Sequence, residues 1–204
     1  FAPFMRFYNK HKIAVLSVIA LILAIVVISF VMSNIAKSNN EKAAVIYQDW
    51  LSKNVDSEGG KEEATALFNE LTSSYKKTGY AKIALLSQGS ADARDGNNED
   101  ALNNFSKLIK LTNGIGGNKL FNKISRVSSA RLLSANGDLD MALKMLEKYS
   151  GSSANAYIHE LTGDILLKKE QISLAEEQYL LAKDKYTDET SLSIVSMKLT
   201  SLKN

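Results

Sequence analysis

The sequence has no cysteine, one proline, one tryptophan and two histidines. Each scarcity excludes something. Without cysteine there is no disulfide framework and no thiol chemistry. The redox compartment stays open, because a helical domain of this size can be stable without bridges in either setting. Pro3 sits near the start, and about 200 residues follow without another. Proline interrupts helix interiors, so this length suits a chain that is helical nearly throughout.

The two histidines, His11 and His159, leave little material for catalysis. His159 and Glu160 open the run His159-Glu160-Leu161-Thr162-Gly163, where a zinc protease needs a second histidine four residues after the first. A nucleophilic serine would have to use His159, yet no serine lies in a G-x-S-x-G elbow or a strand–helix alternation. The stretch Gly114–Lys119 lacks the glycine spacing and the Lys-Ser/Thr pair of a phosphate-binding loop, and reads as a flexible turn. Glu62-Glu63 and Glu176-Glu177 fall near helix starts, where carboxylates complement the macrodipole. They read as solvated faces. No catalytic residue, cofactor or metal is expected, and the chain does not read as an enzyme.

Positive charge is also scarce where a nucleic-acid binder needs it. Residues 1–37 hold Arg6, Lys10, Lys12 and Lys37 and no acid. Removing these four from the 25 basic residues leaves 21 against 22 acids, so residues 38–204 carry a net charge of −1. The basic footprint flanks an apolar segment instead of covering a folded domain. Nucleic acid is not an expected partner.

That apolar segment runs from Ile13 to Met32, twenty residues without a charge. As a helix rising about 1.5 Å per residue it is roughly 30 Å long, the thickness of a bilayer's hydrocarbon core. Fourteen of the twenty are Ile, Leu, Val or Phe, which together favour insertion by at most about 4 to 8 kcal/mol. Two other readings compete. A buried core helix would need a polar side for solvent. A cleaved signal peptide would have a shorter apolar core and a small-residue end, which Val31-Met32-Ser33 matches poorly. A retained anchor is the expectation. Arg6, Lys10 and Lys12 precede it while Lys37 and Lys42 follow, so the positive-inside rule puts the N-terminus in the cytoplasm by a narrow margin. The expected division is a cytoplasmic flank at 1–12, a transmembrane anchor at 13–36 and a helical repeat domain at 37–204.

The remainder repeats itself. Gly89, Ala101 and Phe105 share their spacing with Ala130, Ala142 and Leu146, and again with Gly163, Ala175 and Tyr179. In each set a small residue lies twelve before an alanine, and a large apolar residue lies four after it. Small residues on both helices of a hairpin permit close approach, and the large side chain fills the space beside them. Asp95-Gly96-Asn97 and Asn136-Gly137-Asp138 mark the turns. Ser173 with Glu176 predicts a capping box for the third unit's second helix. A fainter fourth unit has Ala64 and Phe68 after a turn at Gly59-Gly60. The alanines at 64, 101, 142 and 175 are 37, 41 and 33 residues apart, near the tetratricopeptide period of about 34. The longest gap holds the glycine-rich run 112–118, which resists regular structure. A generic helical bundle is the competing interpretation.

The pattern resembles tetratricopeptide repeats and, more narrowly, the YfgM family of ancillary SecYEG translocon subunits. It is carried by the anchor, by Ala43, Ala44 and Tyr47, by Arg131-Leu132-Leu133 before Gly137, by Gly163 through Lys169, and by Met197-Lys198-Leu199. The resemblance implies an all-α fold, with an N-terminal transmembrane helix followed by a tetratricopeptide-repeat-like helical-hairpin solenoid. It also implies a single-pass protein of the bacterial inner membrane with its C-terminal domain in the periplasm. Its partners would be the SecYEG translocon and a PpiD-type periplasmic chaperone, in protein export. The glycine-rich insertion departs from the family pattern. The same architecture also suits an adaptor for envelope or cell-wall assembly.

In a stacked array the first helix of each hairpin lines the concave side. Aligning the units on their alanines puts Leu86, Ser90 and Arg94, then Val127 and Arg131, then Tyr157, Glu160, Asp164 and Lys168 on that surface. These are the expected partner-binding residues.

Overall fold

The structure, a computed structural model, describes residues 2–53, 58–151 and 155–202. Among them are nine α-helices, one 3-10 turn and no strand. The chain divides into two compact units, residues 1–81 and 82–204.

In the first unit, α1 (Ala2–Lys53) leaves helical geometry only at His11, with φ −122° and ψ 19°. From there it continues unbroken through the apolar segment and past it. Its most apolar window has a mean hydropathy of 3.2 and no buried residue, the reverse of a core helix. The helix is long and apolar enough to cross a membrane. Its last turns pack on α2 (Glu58–Ser73) through aromatic rings. Trp50 is fully buried, with its ring 5.8 Å from that of Phe68. Tyr47 lies 5.6 Å from Trp50 and 5.5 Å from Tyr80, near the start of α3 (Gly79–Arg94). Tilted pairs at these distances add about 0.5–1.5 kcal/mol each beyond the area they bury.

One local expectation fails here. Gly59 and Gly60 do not form a turn but lie inside α2. Glycine costs about 1 kcal/mol in a helix interior, but both sit in the first turn of α2, a helix held by packing of its buried Ala64 and Leu71. The connection before α2, residues 54–57, falls outside the described residues.

The second unit holds the rest of α3, then α4 (Asn98–Thr112), α5 (Lys119–Ala135) and α6 (Leu139–Leu146) with a 3-10 turn at Glu147–Tyr149. It closes with α7 (Ala156–Lys168), α8 (Ile172–Lys185) and α9 (Glu189–Ser201). Three of its connections are copies of one turn. Gly96, Gly137 and Glu170 adopt left-handed φ of 80°, 88° and 61°. The next amide reaches back five residues, from Asn97 to the Asp92 carbonyl at 2.8 Å, from Asp138 to Leu133 at 2.9 Å and from Gln171 to Leu166 at 3.0 Å. These bonds satisfy carbonyls that the helix end leaves open. Asn97, Asp138 and Gln171 then cap the following helices, each four residues before the repeat's alanine.

That register corrects the expected capping box. Gln171 is the cap of α8, and Ser173 and Glu176 lie inside the helix. The turn fixes where the helix begins, and a serine two residues late cannot move it.

The alanines and their large partners are buried as the spacing requires. Ala130, Ala142 and Leu146 join Leu161 and Ile165 in one cluster, and Ala175 and Tyr179 join Leu166, Val195 and Leu199 in the next. Each cluster draws on neighbouring helices only, the organisation of a repeat array. Of the run 112–118, Thr112 closes α4, buried with its hydroxyl donating to the Leu108 carbonyl at 2.6 Å. Gly114 and Gly116 take left-handed φ, and the Asn118 side chain accepts from the Leu120 and Phe121 amides to start α5.

Candidate protein-binding groove

Within each hairpin the two helices approach closely, and the small residue on the first helix is what permits it. A Cβ added to Gly89 would stand 2.9 Å from the Phe105 ring, and one added to Gly163 would stand 2.6 Å from the Tyr179 ring. In the middle hairpin the large residue is Leu146, and the small one can be Ala130. Glycine occurs where the partner is a flat ring, and alanine where it is a branched aliphatic chain.

Between α3 and α5 lies a groove. Ser90, Ala93 and Arg94 form one wall, Ser128, Arg131, Leu132 and Ala135 the other, and Phe105 of α4 is its deepest ring. Arg94 and Arg131 are exposed and, among the described residues, make no hydrogen bond or ion pair. Behind this groove, buried Asp92 accepts from Gln88 at 2.8 Å and from Asn104 at 2.9 Å. Its charge is therefore spent inside the hairpin, not on the arginines.

The other expected residues are placed differently. Leu86 is half-buried one turn before Ser90, and Val127 packs against the cluster around Leu146. Tyr157 is 39% exposed, which leaves one side of its ring open. The Lys168 amine donates to the Ser134 carbonyl at 3.0 Å and to its hydroxyl at 3.2 Å, tying α7 to α5. Glu160 and Asp164 are held from within. Lys198 of α9 reaches Glu160 at 2.7 Å and Asp164 at 2.6 Å. The Tyr186 hydroxyl donates to Glu160 at 2.5 Å and the Tyr179 hydroxyl to Asp164 at 2.8 Å.

This cluster perturbs its members in one direction. Burial first, then the hydrogen bonds to Asp164 and Glu160, push the Tyr179 and Tyr186 hydroxyls well above the ordinary tyrosine pKa. Burial alone would lower the Lys198 pKa. Its bonds to Asp164 and Glu160, and their negative charge, outweigh that and hold it above the ordinary lysine value. Nearby, buried His159 meets the Gln178 amide oxygen through Nδ1 at 2.8 Å, and its Nε2 has no partner among the described residues.

A family model of tetratricopeptide repeat-like domains matches residues 5–204, taking in the apolar helix as well as the hairpins. The chain belongs to that family. No curated protein and no solved structure matches it. Tetratricopeptide repeat-like domains are protein-binding scaffolds.

Sequence reasoning missed three parts of the arrangement. Phe105 was legible as a packing residue but not as part of a groove lining, because the spacing that singles it out reports only its contact with Gly89. Lys198 was not legible as the partner of Glu160 and Asp164, since nothing local links α9 to α7. Asn122 is fully buried in α5, donating to the Ile109 carbonyl and the Thr112 hydroxyl and accepting from Tyr149 at 2.9 Å. An asparagine in mid-helix gives no sign of such a role.

Proposed function

We propose that this chain is a membrane-anchored scaffold that captures segments of other proteins along the first-helix row. Residues 13–36 serve as the anchor and 37–204 as the binding domain. The observation that carries the reading is the groove between α3 and α5, where two arginines without a partner among the described residues flank the Phe105 and Leu132 side chains. Such a site suits a segment that offers a carboxylate next to an apolar side chain, since guanidinium forks pair well with carboxylates. Tyr157 extends the apolar surface, and Leu86, Val127, Glu160, Asp164 and Lys168 shape the row around it.

The more specific reading is an ancillary subunit of the SecYEG translocon, working in the periplasm with a PpiD-type chaperone in protein export. Its supports are the apolar helix, the hairpin array and the family resemblance. Crosslinking in intact membranes followed by mass spectrometry tests it. Recovery of translocon subunits and an isomerase-type chaperone upholds this reading, and recovery of cell-wall assembly components replaces it with the adaptor. Labelling from each side of the membrane tests the orientation. For the groove, Arg94→Glu combined with Tyr157→Ala should lower partner recovery at least tenfold while the helical signal stays unchanged. Undiminished recovery by the folded variant refutes the groove.

A further inference from the structure

The first unit carries a second cleft, at the point where α1 leaves its apolar segment. One wall is α1 itself, with Met32, Ile35 and Ala36 followed by Asn39 and Asn40, and the other is the turn from Ser74 to Gly79 between α2 and α3. The cleft encloses about 490 Å³, within the range of small-molecule sites. Its lining changes character along α1. Apolar side chains come first, then two amides, and facing them are Tyr75, Lys76 and Lys77. Both lysines are exposed and form no ion pair among the described residues. Glu41 and Glu70, the carboxylates nearest in sequence, do not line the cleft. At about 100° per residue, Glu41 faces the opposite side of α1 from Met32 and Ala36.

The height of the cleft is fixed by the charges on α1. Lys12 and Lys37 bound an uncharged stretch of residues 13–36, about 36 Å long as a helix, which fits a core of about 30 Å by tilting, so with that whole stretch in a bilayer the hydrocarbon ends near Ala36. The headgroup layer beyond it is roughly 5–8 Å deep, or about four to five helical residues. Asn39, Asn40 and the facing turn therefore lie among headgroups. A half-buried tyrosine and two lysines at that depth match the side chains that favour the interface.

We propose that this cleft binds an anionic phospholipid. Its acyl chains would lie along Met32 and Ile35, and its phosphate would meet the Lys76 and Lys77 amines and the Asn39 and Asn40 amides. The inference rests on residues 13–36 spanning the bilayer but not on the groove or its partners. It gives the first unit a second attachment to the membrane, selective for headgroup charge.

The chain has no cysteine, so Ser74→Cys supplies a single thiol for a fluorophore at the cleft. The full-length protein is reconstituted in phosphatidylcholine vesicles with an equal small fraction of quencher-headgroup phosphatidylglycerol or quencher-headgroup phosphatidylcholine. The expected result is at least threefold stronger quenching by the phosphatidylglycerol label. Lys76→Glu with Lys77→Glu should equalise the two labels, half-molar salt should narrow the difference, and 10 mM inorganic phosphate should leave it unchanged. Equal quenching by both labels in the unmodified turn overturns the lipid site while the spanning helix stands. Loss of the preference to inorganic phosphate at that concentration also overturns it, as the mark of a free-anion site. Failure of the chain to float with the vesicles overturns the spanning helix and the lipid site together.

Discussion

The charged side chains on the first helices of the second unit stand in opposite states at α3 and α5 and at α7. At the α3–α5 end, Arg94 and Arg131 flank an apolar groove and pair with nothing among the described residues. At the α7 end, Glu160 and Asp164 are already used by Lys198, Tyr179 and Tyr186. Position in a repeat therefore does not decide whether a side chain is available. Its neighbour does, and α9 is the neighbour that closes one end.

The comparison can be broken at the packing behind each end. Gly163→Ala puts a methyl 2.6 Å from a tyrosine ring that Asp164 holds by its hydroxyl, whereas Gly89→Ala meets a phenylalanine ring with no such tether. The first should cost roughly 2–3 kcal/mol and the second about 1 kcal/mol less, read by urea unfolding. A larger loss at Gly89 would show that the tethered ring is the more adaptable one.

Lys198→Met should cost roughly 1–2 kcal/mol, because two carboxylates lose their cation at a partly buried site. It leaves Glu160 and Asp164 with only their tyrosine hydroxyl partners, a step toward the unpaired state of Arg94 and Arg131. The same cluster sets an alkaline limit. Lys198, Tyr179 and Tyr186 all have folded pKa values above their unfolded ones. Their contribution is complete below about pH 10 and is lost as pH rises through the folded values, which a melting series from pH 8 to 12 would record. A melting temperature flat across that range would contradict the assignment.

Smaller effects sharpen the contrast. Glu170 holds the left-handed position that glycine fills at 96 and 137, so Glu170→Gly should stabilise the α7–α8 hairpin by about 1 kcal/mol. Arg94→Glu with Arg131→Glu should change stability by less than about 0.5 kcal/mol, since neither side chain supports the fold. A melting shift of several degrees in that variant would mean the open end is structural after all.

Much of this was legible in the sequence because steric repeats leave a spacing. The intervals of twelve and four residues located Gly89 against Phe105 and Gly163 against Tyr179, and the all-helical repeat fold followed. Local signals served less well. Ser173 looked like a cap and Gly59-Gly60 like a turn, but turn register and inter-helix packing overrode both. The groove was partly legible, since registering the hairpins brought Arg94 and Arg131 to one surface. Which charges remain unspent was hidden, because it depends on Lys198, 34 residues beyond Asp164.

The unbroken course of α1 from the apolar stretch to Trp50 has a mechanical consequence. With residues 13–36 in a bilayer, the first unit is built directly on a rigid post instead of hanging from a leash. The height of its Trp50–Phe68 contact is set by counting residues, about 20 Å for the stretch from Lys37 to Trp50. Each residue inserted there would lift it by about 1.5 Å and swivel it by about 100°, so the compass bearing of its surfaces is written into the length of one helix.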